Sequence, residues 1–205
     1  MSDHNRTRHE ILSGDQIFLA ALQPDDFAQL ARWAGNHRFA AHLGDLSSAA
    51  PSAARQEWFA QLASPAPGGR LPGNRAAFAV LERPAAFVGM VALYDVDQRR
   101  RAATLGIALS PERWGRGYGT EAVRLLVEYG FYQLQLASIN LSFVDCNERG
   151  SRAYRRAGFR EIGRRPAGQG LGGRRYDTVL MTIASDDVDL SRISAMLPRL
   201  IVPQA

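Results

Sequence analysis

Apolar positions along this 205-residue chain fall partly into short continuous runs, the mark of strands, and partly into stripes at three- and four-residue spacing, the mark of helices. After a polar N-terminal tail (residues 1–15), Gln16 to Leu22 is an apolar run rich in strand formers. Pro24 opens a helix in which Phe27, Leu30, Ala31 and Ala34 share a face, and Gly35-Asn36 stops it. A polar, Ala-rich segment from His37 to Pro51 follows, then a predicted helix over Ser52 to Ala63 with Trp58, Phe59 and Leu62 on its apolar side. Ser64 to Asn74 holds three prolines and three glycines and reads as a loop.

Three strands are then expected in succession, Ala76 to Glu82, Phe87 to Tyr94 and Ala102 to Leu109. Pro84-Ala85 and the charged cluster Asp95 to Arg101 separate them, and both suit antiparallel turns. Thr120 to Phe131 is a helix with Ala122, Leu125, Leu126 and Tyr129 on one face. Ser138 to Val144 alternates as a strand does, and Glu148 to Ala157 reads as a short helix closed by Gly158 at its C′ position. Phe159 to Arg164 and Arg175 to Ile183 form a closing strand pair around a glycine-rich loop, Pro166 to Gly173. Ser185 caps a last helix with Asp186, Asp187 and Asp189 in its first turn and Leu190, Ile193 and Leu197 as its stripe. The order β-α-α, strand meander, β-α-β-α-β-β describes one α/β domain around a mixed sheet, residues 16–184, with a C-terminal helical extension, residues 185–205.

Composition narrows the function classes. The hydrophobic fraction of 46% supports a buried core, and no run of about 18 apolar residues is present, so no membrane partner is expected. The first ten residues are polar and mixed in charge, unlike a signal or transit peptide, so a cytoplasmic location is expected. The single cysteine, Cys146, rules out an intrachain disulfide. The net charge is +5, and every cationic Lys/Arg position is arginine. Those arginines are scattered and carry no nucleic-acid motif, so the excess fits an anionic small molecule and no nucleic acid is expected. No metal is expected.

Two constellations carry chemistry. In Arg113-Trp114-Gly115-Arg116-Gly117-Tyr118-Gly119-Thr120-Glu121-Ala122, glycines at every second position run into a helix. Glycine permits positive φ and removes the Cβ that would hold a phosphate away, and a helix start adds unpaired N–H donors at the positive end of its dipole. The stretch lacks the Gly-Lys-Ser/Thr ending of a nucleotide P-loop, and its spacing does not fit the dinucleotide G-x-G-x-x-G. The second constellation places Asn147, Ser151 and Tyr154 at i, i+4 and i+7, three polar groups on one helix face ahead of Gly158-Phe159.

Together these motifs resemble the GNAT acyl-CoA N-acyltransferase family, and more closely its RimJ/RimL-like branch. The matching residues are Leu105 to Pro111, Trp114 to Ala122, the Asn147/Ser151/Tyr154/Gly158-Phe159 pattern and Tyr176 to Met181, within a span from Gln16 to Ile183. The resemblance implies the GNAT fold, a mixed and mostly antiparallel central sheet flanked by helices on both faces. It also implies acetyl-CoA as co-substrate. Ile107, Ala108 and Leu109 would pair with the pantetheine arm, and a backbone N–H there would polarise the thioester carbonyl. Trp114, Gly115, Arg116, Gly117, Tyr118, Gly119 and Thr120 would form the pyrophosphate cradle. Asn147 would bond a pantetheine amide, Ser151 would line the same channel, and Tyr154 would be the catalytic acid that protonates the departing thiolate. Where the family's motif usually opens with Gln or Arg this chain has Trp114, which cannot replace an amide donor, so backbone donors from Gly115 to Thr120 carry the cradle.

The implied reaction is direct acetyl transfer to a primary amine of a small molecule or of a peptide or protein N-terminus. A longer acyl-CoA and a non-catalytic acyl-CoA-binding module are the alternatives. Attack by the amine needs a base, for which Glu82, Asp95, Asp177, His37 and His42 remain open, while Glu121 reads as early-helix electrostatics. A homodimer through Leu190, Ile193 and Leu197 is also left open.

Overall fold

The computed structural model describes residues 8–34, 76–171 and 174–188. The expected helix over residues 52–63, the loop over 64–74, His37, His42 and the Leu190/Ile193/Leu197 stripe lie outside the described residues. In chain order the elements are β1 (Leu12–Ser13), β2 (Ile17–Ala20), α1 (Pro24–Ala34), β3 (Ala76–Glu82), β4 (Ala86–Asp97), β5 (Ala102–Leu109), α2 (Tyr118–Tyr132), β6 (Ser138–Val144), α3 (Glu148–Arg156), β7 (Arg160–Leu171) and β8 (Arg174–Ala184). Short 3₁₀ turns cover Pro111–Arg113 and Ser185–Asp187.

The strands form one sheet in the order β1-β2-β3-β4-β5-β6-β8-β7, in which every pair is antiparallel except β5 with β6. Because side chains alternate along a strand, β4 feeds two cores. Met90 and Ala92 pack with Leu30 of α1, while Val91 and Leu93 pack with Val123 and Leu126 of α2 and Tyr154 of α3. Helices therefore cover both faces of the sheet.

The chain departs from the hydrophobic pattern where polar residues do structural work. Residues 8–15 are built into the fold rather than trailing from it. Leu12 and Ser13 pair with Leu19 and Phe18, and Arg8 makes a two-pronged ion pair at 2.8 Å with Asp26, which is only 1% exposed. Asp26 also accepts the N–H of Gln23 at 2.8 Å, so the inward face of α1 carries a carboxylate, and Ala31 is exposed instead. β4 does not end at Tyr94. Its pairing moves from Tyr94↔Thr104 to Asp97↔Ala102, and Asp95 takes φ 52° in the bulge between them. The flanking aspartates mask this extension in the sequence. Likewise β7 and β8 run on to Leu171 and back from Arg174, so strand pairing takes up much of the glycine-rich stretch expected as loop. At the C-terminal end Ser185–Asp187 is a 3₁₀ turn, in which the Asp187 carboxylate accepts the Ala184 N–H at 3.0 Å.

Among the described residues no helix is long and apolar enough to cross a membrane.

Candidate active site

The parallel pair β5–β6 holds only at its start, through Ala102↔Ser138, Ala103↔Ile139 and Thr104↔Asn140. β5 continues to Leu109 while β6 turns to follow β8 as far as Val144↔Thr178, so the sheet splits into two arms. A split leaves strand-edge N–H and C=O groups to be paired by something other than a neighbouring strand. A cavity of about 370 Å³ occupies this region, walled on one side by Ile107, Ala108 and Leu109 and on the other by α3.

The glycine stretch closes one end of the cavity. Gly115 and Gly117 adopt φ 82° and 90°, in the region that strains any residue with a Cβ. Gly117 is the N-cap of α2, and the N–H groups of Thr120 and Glu121 turn back to its carbonyl at 3.0 and 3.2 Å. The Thr120 N–H is thus spent within the turn, so any donors that this stretch offers to a ligand lie earlier in it. Gly119 brings no side chain to the wall, and a Cβ there would sit 3.5 Å from Leu109 Cδ1.

Glu82 of β3 clamps this loop. It accepts the Tyr118 hydroxyl at 2.7 Å and pairs with Arg113 at 3.3 Å and Arg116 at 3.5 Å. Glu121 reaches the other way, and its carboxylate accepts the Gln16 N–H at 3.0 Å, an approach open only because residue 14 is glycine. Trp114 donates its indole N–H to the Leu109 carbonyl at 3.0 Å, and the Arg149 guanidinium carbon lies 3.9 Å from its ring centroid.

On the opposite wall, Asn147 is the N-cap of α3, 7% exposed, with its side-chain oxygen accepting the Gly150 N–H at 2.9 Å. A Cβ at Gly150 would lie 2.7 Å from Asn147 Nδ2, so glycine there leaves room for this placement of the Asn147 amide. Tyr154 lies about two turns further along α3, 8% exposed, its ring 5.4 Å from Phe143 and 6.3 Å from Phe159. Burial, and to a lesser degree Tyr94, pushes its phenol well above the ordinary tyrosine value, so it holds its proton. The Cys146 thiol is pushed up by burial and then by Asp145, which leaves it a poor nucleophile, and it does not line the cavity.

Most expected site residues meet at this cavity: Ile107, Ala108 and Leu109, then Trp114, Gly115, Gly117, Tyr118, Gly119 and Thr120, then Asn147 and Tyr154. Arg116 and Ser151 do not line it. The Arg116 side chain goes to Glu82, and α3 lines the cavity with Arg149, Gly150, Arg152, Ala153, Tyr154 and Arg156 but not Ser151. Sequence reasoning missed the cations. Arg113, Arg149, Arg152 and Arg156 line the cavity and, among the described residues, no carboxylate does, a balance that suits a polyanion. The spacing of Arg149, Arg152 and Arg156 along α3 was the available signal. Of the carboxylates open as base, Glu82 is engaged in its clamp, and Glu82, Asp95 and Asp177 all lie outside the lining of the cavity.

Residues 16–160 match the family described as the Acetyltransferase (GNAT) domain. The putative ribosomal N-acetyltransferase YdaF of Bacillus subtilis is 32% identical over 95 residues, 46% of this chain and 52% of that protein. The spermidine N(1)-acetyltransferase of Escherichia coli is 37% identical over 71 residues, 35% of this chain and 38% of the relative. The matches to these curated relatives thus span about half of their length or less. The structure of a spermidine N-acetyltransferase from Vibrio cholerae, in complex with CoA and spermine, superposes with a TM-score of 0.72 at 20% identity, covering 85% of this chain and 98% of that one. That likeness establishes the fold, an open mixed sheet flanked by helices.

Proposed function

The chain belongs to the GNAT acetyltransferase family, and from that premise we propose that it is an N-acetyltransferase that moves an acetyl group from acetyl-CoA directly to a primary amine. The observation that carries this reading is the split between β5 and β6, with a glycine-bounded, arginine-rich mouth at one end and buried Tyr154 inside. The residues fit the co-substrate. Its pantetheine arm has amides to pair with the open edge at Ile107 to Leu109, and its phosphates match the cationic end. Asn147, its oxygen held by Gly150, has its amide N–H₂ to offer to a ligand carbonyl.

The acetyl thioester supplies the activated acyl group. A backbone N–H along Ile107 to Leu109 polarises its carbonyl. As the amine attacks and the C–S bond breaks, Tyr154, kept protonated by burial, gives its proton to the sulfur, and the proton shed by the amine nitrogen restores the phenol by way of water. No covalent enzyme intermediate is required, in keeping with a Cys146 thiol away from the cavity. Among amines, a polyamine is favoured by the relatives named spermidine acetyltransferases, and a peptide α-amine by the one named a ribosomal N-acetyltransferase and by the RimJ/RimL-like motifs.

Two measurements test this. Acetyl-CoA at about 100 times a micromolar Kd stabilises a folded-state binder by about 2.7 kcal/mol, visible as a rise in Tm. Release of free thiol with spermidine, a peptide bearing a free N-terminus and simple alkyl amines then reads turnover. A rise in Tm without thiol release from any amine points to a binding module instead, and no rise in Tm removes the co-substrate altogether.

A further inference from the structure

The motif position where a side-chain phosphate donor is expected holds Trp114, an indole whose single N–H is committed to the Leu109 carbonyl at 3.0 Å. That hydrogen bond fixes the ring at the end of β5, where Trp114 also packs against the cluster of Met90, Ala92 and Ala108. The ring is therefore a rigid wall of the cavity rather than a ligand for anything in it. The Arg149 guanidinium lies against this wall, 3.9 Å from the ring centroid, and both residues line the cavity. Arg149 comes from the first turn of α3, on the opposite arm of the split sheet. The contact therefore spans the cavity mouth beside the glycine stretch.

Resting on the co-substrate reading above, we propose that Arg149, aimed by the face of Trp114, is the side-chain ligand of the CoA pyrophosphate. A guanidinium stacked on an aromatic face presents its N–H groups in its own plane, at the edge, where a planar fork meets two phosphate oxygens. Stacking also removes rotamer freedom from a long, exposed side chain before the ligand arrives, so less entropy is lost on binding. The donor absent from position 114 is thus supplied in space from α3, and the tryptophan positions it. Lysine in the same place would lack both the flat face and the fork.

Calorimetric titration of the full chain with CoA tests this. Arg149→Gln weakens CoA binding about tenfold or more, the scale of a lost charge-assisted pair. Arg149→Lys recovers only part of that. Trp114→Leu, which keeps the arginine but removes its platform, weakens CoA by a similar factor, and the double variant is no worse than about twofold beyond Arg149→Gln. The same relative loss appears with 3′-dephospho-CoA, which retains the pyrophosphate. If Trp114→Leu does not fold, the two Arg149 variants and the two ligands still decide the matter. CoA affinity within twofold of wild type in Arg149→Gln overturns the inference, and a loss that vanishes with 3′-dephospho-CoA overturns the pyrophosphate assignment. Fully additive losses overturn the positioning role of Trp114. Those results leave the co-substrate reading intact, whereas failure of the wild-type chain to bind CoA removes that reading and the inference with it.

Discussion

Tyr154 is held by its ring, packed against Phe143 and Phe159, and it lines the cavity that the ligand would share. Tyr154→Phe therefore keeps the packing and removes only the proton. Expected is a fall in kcat of at least about 10²-fold with CoA affinity retained, read by single-turnover kinetics and calorimetry. The same burial has a stability signature. The folded chain holds the Tyr154 proton above the ordinary value of about 10, while the unfolded chain releases it there. Above about pH 10 the unfolded state binds fewer protons, so stability falls as pH rises, by about 1.4 kcal/mol per unit for this one group until its folded value is reached. Below that window the contribution is fully present. Urea midpoints at pH 8 and pH 11 should diverge in wild type and diverge less in Tyr154→Phe. A residual slope remains because burial also raises Tyr129.

The glycine stretch is an element whose three alternate glycines are not equivalent. Gly117 sits at φ 90° as the N-cap of α2, so Gly117→Ala forces a left-handed alanine and costs about 1–2 kcal/mol. Gly119 has ordinary φ, and a Cβ would rest in van der Waals contact with Leu109, so Gly119→Ala should leave the unfolding midpoint within about 0.5 kcal/mol of wild type. Equal destabilisation by the two substitutions, measured by urea titration, would contradict the helix-start geometry. This element was legible in the sequence because its cause is local: glycine, then helix stripe. The same holds for the Asn147 cap, whose partner Gly150 is three residues away. The split of β5 from β6 entered only through the family resemblance, which implied an open edge at Ile107 to Leu109, since nothing within Leu105 to Leu109 itself records that its neighbour follows β8 instead. The Trp114–Arg149 contact was not legible, made between residues 35 positions apart by the difference of their numbers, one on each arm. The bulge at Asp95 was hidden for another reason, because polar side chains on an extended strand look like a turn.

At the scale of the whole molecule, the cavity depends on two arms being held at a fixed opening, and the described N-terminal segment braces only one of them. Arg8 crosses to Asp26 on α1, Glu10 reaches Arg83 at 2.7 Å, and β1 closes the sheet edge beside β2, all on the arm that includes β3, β4 and β5. The two ion pairs differ in weight. Glu10 and Arg83 are about 40% exposed and solvent screens them, whereas Asp26 is 1% exposed and would be left as an unpaired buried carboxylate. Arg8→Ala should therefore cost about 3 kcal/mol, and Glu10→Ala less than about 1 kcal/mol. For a chain of this size the first corresponds to a fall in Tm of roughly 6–12 °C. None of these residues touches the cavity, so CoA affinity measured well below the lowered Tm should match wild type. A loss of affinity in Arg8→Ala at such temperatures would mean that the N-terminal brace sets the opening of the split as well as the stability of the arm.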